Sequence, residues 1–249
     1  MSDEVRRFAE LVSAAERVAG FTGAGISTES GIPDYRGKGG IWNRFQPVYF
    51  DEFLNDPEKR RLYWQRKADV WPAVRDAEPN AGHRFFVDLC RAGKLLGVVT
   101  QNIDGLHEKS GLPRELVVNL HGNTRETTCL SCSYRVDSEE IFRDLDLDTG
   151  APRCPQCGGL LKPDTISFGQ QLDGDRIARA ERIARDCDCM VAAGSTLIVY
   201  PAAAIPEIAV RNGARLLIVT LSETPLDEHA DLVVRRPIGE FLSAVREAL

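Results

Sequence analysis

This chain has no apolar run long enough to cross a bilayer, and its start, Met1-Ser2-Asp3-Glu4-Val5-Arg6, has no apolar signal core. Those absences exclude a helical membrane protein and predict a soluble, cytoplasmic one with no membrane partner. Basic charge is in deficit: 31 Lys and Arg stand against 37 Asp and Glu, a net charge of −6. A global nucleic-acid-binding surface is therefore not expected. The cysteines number seven, and an odd total argues against a secreted disulfide framework. Only four histidines are present, so candidates for a base working near neutral pH are few. The absence of internal repeats and low-complexity segments removes solenoids and long disordered tracts.

What remains is an α/β pattern. Hydrophobic residues make up 43% of the 249 positions, enough for one large domain and a small satellite. Short apolar runs at 17–22, 95–100, 190–193, 216–220 and 231–234 read as parallel strands buried on both faces. Helical patterns at 2–15, 81–92, 174–186, 201–212 and 238–248 lie between or beside them. The expected fold is a Rossmann-like parallel sheet with helices on both faces, built from residues 1–39, 76–122 and 163–249. Residues 40–75, rich in Trp, Tyr, Phe and Arg, read as a helical insertion. Residues 123–162 are polar, carry cysteines and read as a separate zinc-ribbon module.

Two sets of residues carry chemistry. Gly23-Ala24-Gly25-Ile26-Ser27 follows the first strand, and its glycines allow backbone N–H groups to approach an anion such as a dinucleotide's phosphates. Thr100-Gln101-Asn102-Ile103-Asp104-Gly105-Leu106-His107 follows a second strand directly, where an open parallel sheet lines its ligand crevice. The run 116–120 ends at His121, near the same edge, which favours His121 among the histidines as a base. His83 is expected to set a helix start, His107 to anchor its loop, and His229 to lie in a polar turn. Cys129, Cys132, Cys154 and Cys157 form two C-x-x-C knuckles with 21 residues between the pairs, a tetrahedral sulfur set suited to structural Zn2+. Cys90, Cys187 and Cys189 read as core thiols.

In these motifs and their order the chain resembles the sirtuins, NAD-dependent protein lysine deacylases. The resemblance rests on Gly23–Ser27, Gly31-Ile32-Pro33-Asp34-Tyr35-Arg36-Gly37, Thr100–His107, His121-Gly122 and the paired knuckles. It continues through Leu161-Lys162-Pro163-Asp164, Phe168-Gly169, Gly194-Ser195-Thr196-Leu197 and Val199-Tyr200-Pro201-Ala202, and so covers nearly the whole chain. It implies that NAD is consumed as co-substrate and lies across the sheet edge. Its phosphates would sit on Gly23, Ala24, Gly25, Ser27 and Thr28. Asp34, Tyr35 and Arg36 would belong to a mobile loop over the nicotinamide ribose, with Asn102, Ile103 and Asp104 in the nicotinamide pocket and Ile32 and Gln101 among the further cofactor-binding residues. Gly194, Ser195, Thr196, Thr220, Leu221, Ser222, Arg236 and Pro237 would hold the adenosine half. His121, Asn102 and Asp104 would be catalytic, His121 taking a proton from a ribose hydroxyl so that the acyl group passes to the sugar. The products would be nicotinamide, O-acyl-ADP-ribose and free lysine. An acylated-lysine peptide would pair as an added strand with Ile166, Phe168, Gly169, Val199 and Tyr200, in segments read as strand edges. Members of this size imply a monomer.

Some positions depart from the family pattern. Tyr35 stands where many members carry Phe, and Thr220 where most carry Asn. Ser167 replaces a bulky apolar residue near the acyl channel. Tyr63-Trp64-Gln65-Arg66 has the Tyr-x-x-Arg spacing with which some members bind succinyl or malonyl carboxylates. Its distance to Pro79-Asn80-Ala81-Gly82-His83 is longer than in those members, so it reads as a packed, solvated helix face. Deacetylation is the leading expectation. ADP-ribosyl transfer or NAD hydrolysis in the same pocket is the alternative, and a non-enzymatic NAD-sensing or interaction module is a third.

Overall fold

In a computed structural model, residues 1–35, 40, 46–148 and 150–249 are described. Arg36 and Gly37 of the proposed ribose loop, and part of the 40–75 segment, lie outside the described residues. In chain order the elements are α1 (Asp3–Ala14), β1 (Val18–Thr22), α2 (Phe50–Asn55), α3 (Pro57–Asp76), α4 (Ala81–Arg91), β2 (Leu95–Thr100), α5 (Leu106–Lys109) and β3 (Val117–Asn119). Then follow β4 (Gly122–Cys129), β5 (Arg135–Asp137), α6 (Ser138–Arg143), β6 (Leu161–Thr165), α7 (Gly174–Asp186), β7 (Cys189–Ala193), α8 (Ala204–Arg211), β8 (Arg215–Val219), β9 (Leu232–Val234) and α9 (Ile238–Arg246).

The apolar runs pair as expected. Six parallel strands form one sheet in the order β3-β2-β1-β7-β8-β9. The chain grows outward on one side of β1 and then resumes on the other with β7. The order therefore reverses between β1 and β7, and in open parallel sheets the crevice beyond such a switch point takes the ligand. One face is covered by α1, α4 and α9, whose Phe8, Phe85 and Phe241 pack edge to face with ring centroids 6.1 and 5.3 Å from Phe8. The other is covered by α7 and α8 through small residues such as Ala180, Ala184 and Ala209.

The cysteine module contains strands that the sequence pattern did not announce. β4 pairs antiparallel with both β5 and β6, although its Gly-Asn-Thr-Arg-Glu-Thr-Thr-Cys stretch lacks the aliphatic density of the large sheet. Alternate burial along β4 explains this, since a half-buried antiparallel strand needs only one apolar face. The insertion forms α2 and α3, and Asp56 caps α3 by accepting from the backbone N–H groups of Glu58 and Lys59. Phe53, Tyr63 and Trp64 from the insertion share one core with Cys129, Cys154 and Leu161 of the small sheet.

Gly122 is where the two sheets meet. Its φ is +82°, and a Cβ there would lie 1.9 Å from the Asp164 carbonyl oxygen. Gly122→Ala should lower stability by roughly 2–4 kcal/mol, read as a reduced urea midpoint with an unchanged slope. A midpoint within error of the parent would refute this account of the junction.

Candidate functional site

The crevice past β1 and β7 begins with a backbone contact. Gly25 N–H donates to the Gly194 carbonyl at 2.9 Å, and a Cβ on Gly25 would meet the Gly194 Cα at 2.8 Å. Gly194 itself has φ +69°, and its Cβ would fall 2.2 Å from the Ile26 nitrogen. Only glycines let these two turns touch. Asn80 fastens the β1 turn from below: its side-chain nitrogen donates to the Ile26 carbonyl at 2.7 Å and to Ser30 Oγ at 2.9 Å. The Glu29 carboxylate accepts from Gly239 N–H at 2.7 Å, tying the same turn to the start of α9.

A cavity of about 820 Å³ opens over this contact. Gly23, Ala24, Gly25, Ser27, Thr28, Ile32, Asp34 and Tyr35 form one wall, and Gln101, Asn102, Ile103, Asp104 and His121 form the floor. Gly194, Ser195, Thr196, Thr220, Leu221, Ser222 and Pro237 form the far end. Ile166, Phe168, Gly169, Val199 and Tyr200 line the mouth. Of the residues named from sequence and described here, Arg236 alone among the organic-ligand set is not on the lining. It pairs instead with Glu240 one turn ahead and with Glu4 at 4.0 Å, and its guanidinium lies 5.8 Å from the Phe241 ring centroid. The segments at Ile166–Gly169 and Val199–Pro201 are not strands. Gly169 turns at φ +80° and the Gln170 side chain takes the Ser167 N–H, while Ala203 N–H closes a turn back to the Val199 carbonyl, so neither run keeps an extended edge.

Within the floor the polar groups are ordered. Asp104 is buried, yet both of its oxygens are engaged: Ser27 Oγ donates to one at 2.7 Å and Leu106 N–H to the other at 2.9 Å. Burial pushes its carboxyl up, and those two hydrogen bonds pull it part-way back. The Asn102 amide donates to Ser27 Oγ at 3.1 Å and to the Gly23 carbonyl at 3.2 Å. Asn102, Ser27 and Asp104 thus form one chain from two sheet ends. Burial together with the Asp104 charge pushes the Tyr35 phenol up to about 12, so it stays neutral over the carboxylate.

His121 is half-buried, with Nδ1 3.0 Å from the Gln101 carbonyl oxygen. A carbonyl only accepts, so Nδ1 carries the proton of the neutral ring and Nε2 keeps its lone pair. The Gln101 side chain in turn donates to Ser195 Oγ at 2.8 Å. Burial lowers the imidazole pKa, partly opposed by the Gln101 contact. The ring is therefore an available base at neutral pH.

One wall escaped the sequence reading. Tyr63, Arg66, Lys67 and Val70 of α3 line the cavity, so the Tyr63–Arg66 pair is not a solvated helix face. Tyr63 is buried, its hydroxyl 3.2 Å from Thr165 Oγ1, and the Arg66 guanidinium donates to the Gln46 carbonyl. The Lys67 and Lys162 ammonium groups sit 5.6 and 5.4 Å from the Tyr63 ring centroid. The helical spacing was visible, but which face of α3 met the cavity depended on the packing of the small sheet.

The model of the Sir2 family matches residues 23–201. The chain is 44% identical to NAD-dependent protein deacetylase 1 of Bradyrhizobium diazoefficiens, covering 96% of this chain and 93% of that one. It is 43% identical to the NAD-dependent protein deacetylase of Rhodopseudomonas palustris, covering 97% and 96% respectively. A solved Sir2 structure with deacetylated p53 peptide and 3′-O-acetyl ADP-ribose superposes with TM-score 0.89 at 34% identity, covering 98% of each chain. The chain belongs to the Sir2 family.

The second centre of this Sir2 chain is closed. The sulfurs of Cys129, Cys132, Cys154 and Cys157 all lie within 4.8 Å of one another. Three of the separations are 3.5, 3.7 and 3.5 Å. A tetrahedron of sulfurs about 2.3 Å from zinc has edges of about 3.8 Å, so the set fits that ion. Ser131 N–H donates to Cys129 Sγ at 3.3 Å and Gly159 N–H to Cys157 Sγ at 3.4 Å, which suits thiolates. Four sulfur ligands leave no open position, so the ion is structural. Its binding should contribute on the order of 10 kcal/mol to the module. The purified protein should carry one zinc per chain, and a strong chelator should release it with loss of cooperative unfolding of the small sheet. Full retention of the thermal transition after zinc release would contradict a structural role.

Proposed function

We propose that this chain is an NAD-dependent protein lysine deacylase, cytoplasmic and monomeric, with His121, Asn102 and Asp104 as its catalytic residues. The observation that carries the reading is the His121 imidazole, held at Nδ1 by the Gln101 carbonyl on the lining of a cavity that also contains the Asn102–Ser27–Asp104 chain. A cradle from which every Cβ is excluded at Gly23, Gly25 and Gly194 fits a dinucleotide's phosphates. NAD, when bound, supplies the glycosidic bond that breaks and the ribose that receives the acyl group.

The roles follow from donor and acceptor capacity. Asp104 is a buried carboxylate whose oxygens accept, so it suits the amide hydrogens of a carboxamide held out of the ring plane. Asn102 fixes Ser27, and Ser27 fixes Asp104. His121 Nε2 takes a proton from a sugar hydroxyl, and the Nδ1–H bond to the Gln101 carbonyl stabilises the cation that forms. The insertion and the small sheet share one core beside the large domain, and the small sheet continues through Thr165 at the end of β6, past the boundary expected at 162. An extended acyl-lysine peptide at the mouth would meet exposed Phe168 and Tyr200.

His121→Ala should lower acyl transfer by at least about 10²-fold, as expected for loss of a positioned base, while some peptide-dependent nicotinamide exchange persists. The imidazole must be neutral to act, and its pKa lies below the usual value. The acid-side fall in rate should therefore have its midpoint below the ordinary imidazole value of about 6.5. Nicotinamide release that ignores an acyl-lysine peptide would instead support NAD hydrolysis.

A second reading concerns the acyl chain. Lys67 faces the cavity, and burial pushes its ammonium down to about 8 with no carboxylate contributing to the shift. Beside Arg66 it favours an acyl group ending in a carboxylate. A carboxyacyl-lysine peptide should then exceed a neutral chain of equal length in kcat/KM by about 10- to 100-fold. Lys67→Met should shrink that ratio. The preference requires the protonated amine, so it should fade as pH rises through about 8. Equal rates for the two peptides would leave deacetylation as the activity.

A further inference from the structure

The nicotinamide floor has a second polar layer beneath it. Thr22 and Thr100 sit opposite each other at the ends of β1 and β2, both buried, with Thr22 Oγ1 donating to Thr100 Oγ1 at 2.8 Å. Thr100 Oγ1 also accepts the Asn102 backbone N–H at 3.0 Å. On the other side, His107 Nε2 lies 2.9 Å from Thr22 Oγ1. The His83 ring is in edge contact with His107, their centroids 5.0 Å apart. Both rings are essentially inaccessible to solvent, at 0% and 1% exposure. Two of their nitrogens, His83 Nε2 and His107 Nδ1, are buried with no partner.

Donor and acceptor counting fixes every proton in this layer. The Asn80 backbone N–H points at His83 Nδ1 at 3.3 Å, so Nδ1 is the acceptor and Nε2 carries the proton. Thr22 gives its one hydroxyl hydrogen to Thr100, so at 2.9 Å His107 Nε2 must donate to Thr22 Oγ1, which leaves His107 Nδ1 bare. The opposite tautomer of His107 would set two acceptors against the single Thr22 hydrogen. Burial drives the His83 pKa down to about 4 and that of His107 well below its usual value, so both rings stay neutral.

We propose, on the basis of the deacylase reading, that His83 and His107 are positioning residues: a proton-ordered pair that aims Asn102 at the nicotinamide through Thr22 and Thr100. The arrangement also forms a circuit. Asn80 holds the turn that carries Ser27, and Ser27 accepts from the Asn102 amide. The same segment thus grips the floor from two sides, and loss of the Thr100 link leaves Asn102 held only through its side chain, by Ser27 and Gly23. Displacement of a reacting group by less than an ångström is enough to slow chemistry without abolishing binding.

The first test reads the protons directly. Long-range ¹H–¹⁵N spectra of the full chain labelled with ¹⁵N-histidine should show Nε2–H and bare Nδ1 at both His83 and His107. A protonated Nδ1 on His107 overturns the proposal. The second test is kinetic. Thr22→Val keeps the shape and removes the hydroxyl, and His83→Phe keeps a ring and removes the nitrogens. Each should lower kcat for peptide-dependent nicotinamide release about tenfold, with KM for NAD changed less than about threefold. The Thr22→Val/His107→Phe pair should be no slower than the worse single variant, because both break one chain. Parent-like kcat in Thr22→Val, or additive losses in the pair, would likewise overturn it. Peptide-independent release by the parent would strike the deacylase reading instead, and the tautomers would still be read separately.

Discussion

The site depends on a contact between two turns made of backbone alone. Where the β1 turn crosses the β7 turn, Gly25 donates to Gly194 at 2.9 Å, and neither residue has room for a Cβ. A methyl group at either position would separate the ends of β1 and β7, and the crevice at the switch point would lose its floor. Everything above the sheet is hung from that contact. The Ser27 hydroxyl reaches Asp104 only because the turn lies flat against Gly194. Asn102, at the end of β2, reaches Gly23 and Ser27 for the same reason. The small residues are thus a consequence of distance, and the phosphate cradle follows from the same geometry.

Above that floor the buried polar groups are supported in pairs of opposite capacity. Asp104 can only accept, and it is met by a hydroxyl and an N–H. The Gln101 carbonyl can only accept, and it selects the His121 tautomer that leaves Nε2 basic. A buried charge without such partners would neutralise itself or unfold the site. The raised carboxyl of Asp104 and the lowered imidazole of His121 are the two signs of one desolvated pocket, and they place an acceptor and a base in the same space.

The large sheet was legible because its strands are apolar on both faces and its helices alternate with them. The runs at 95–100 and 216–220 fell within a residue of β2 and β8. The zinc centre was legible because its ligands come as local pairs, and a C-x-x-C knuckle needs no tertiary context. His83 and His107 were placed correctly as a helix-start and a loop anchor, since Asn80 and His83 form a capping box and His107 bonds Thr22. The strands of the small sheet were not legible: Thr-rich β4 lacks the aliphatic run of a buried strand. The mouth segments at 166–169 and 199–201 looked extended, but a left-handed Gly169 in the first and a turn closed by Ala203 N–H onto the Val199 carbonyl in the second make them coil. Tyr63 and Arg66 were misread because helical spacing gives a face without saying what lies opposite it.

That face is where the metal centre reaches the reaction. Tyr63 and Trp64 share a core with Cys129, Cys154 and Leu161, and the Tyr63 hydroxyl meets Thr165 at the end of β6. Trp71 stacks on Phe142 of α6 with centroids 4.7 Å apart, and its indole donates to Glu139 at 2.8 Å. Arg125 of β4 donates to the Val74 carbonyl on α3 and to the Asp104 carbonyl on the floor. The helix carrying Arg66 and Lys67 is thus held by the small sheet, and the small sheet is held by the four cysteine sulfurs. The metal set can in this way shape the α3 wall of the crevice while leaving the Gly25–Gly194 contact untouched. The two halves of the crevice answer to different constraints: backbone packing in the large sheet on one side, and cysteine-organised packing of the small module on the other.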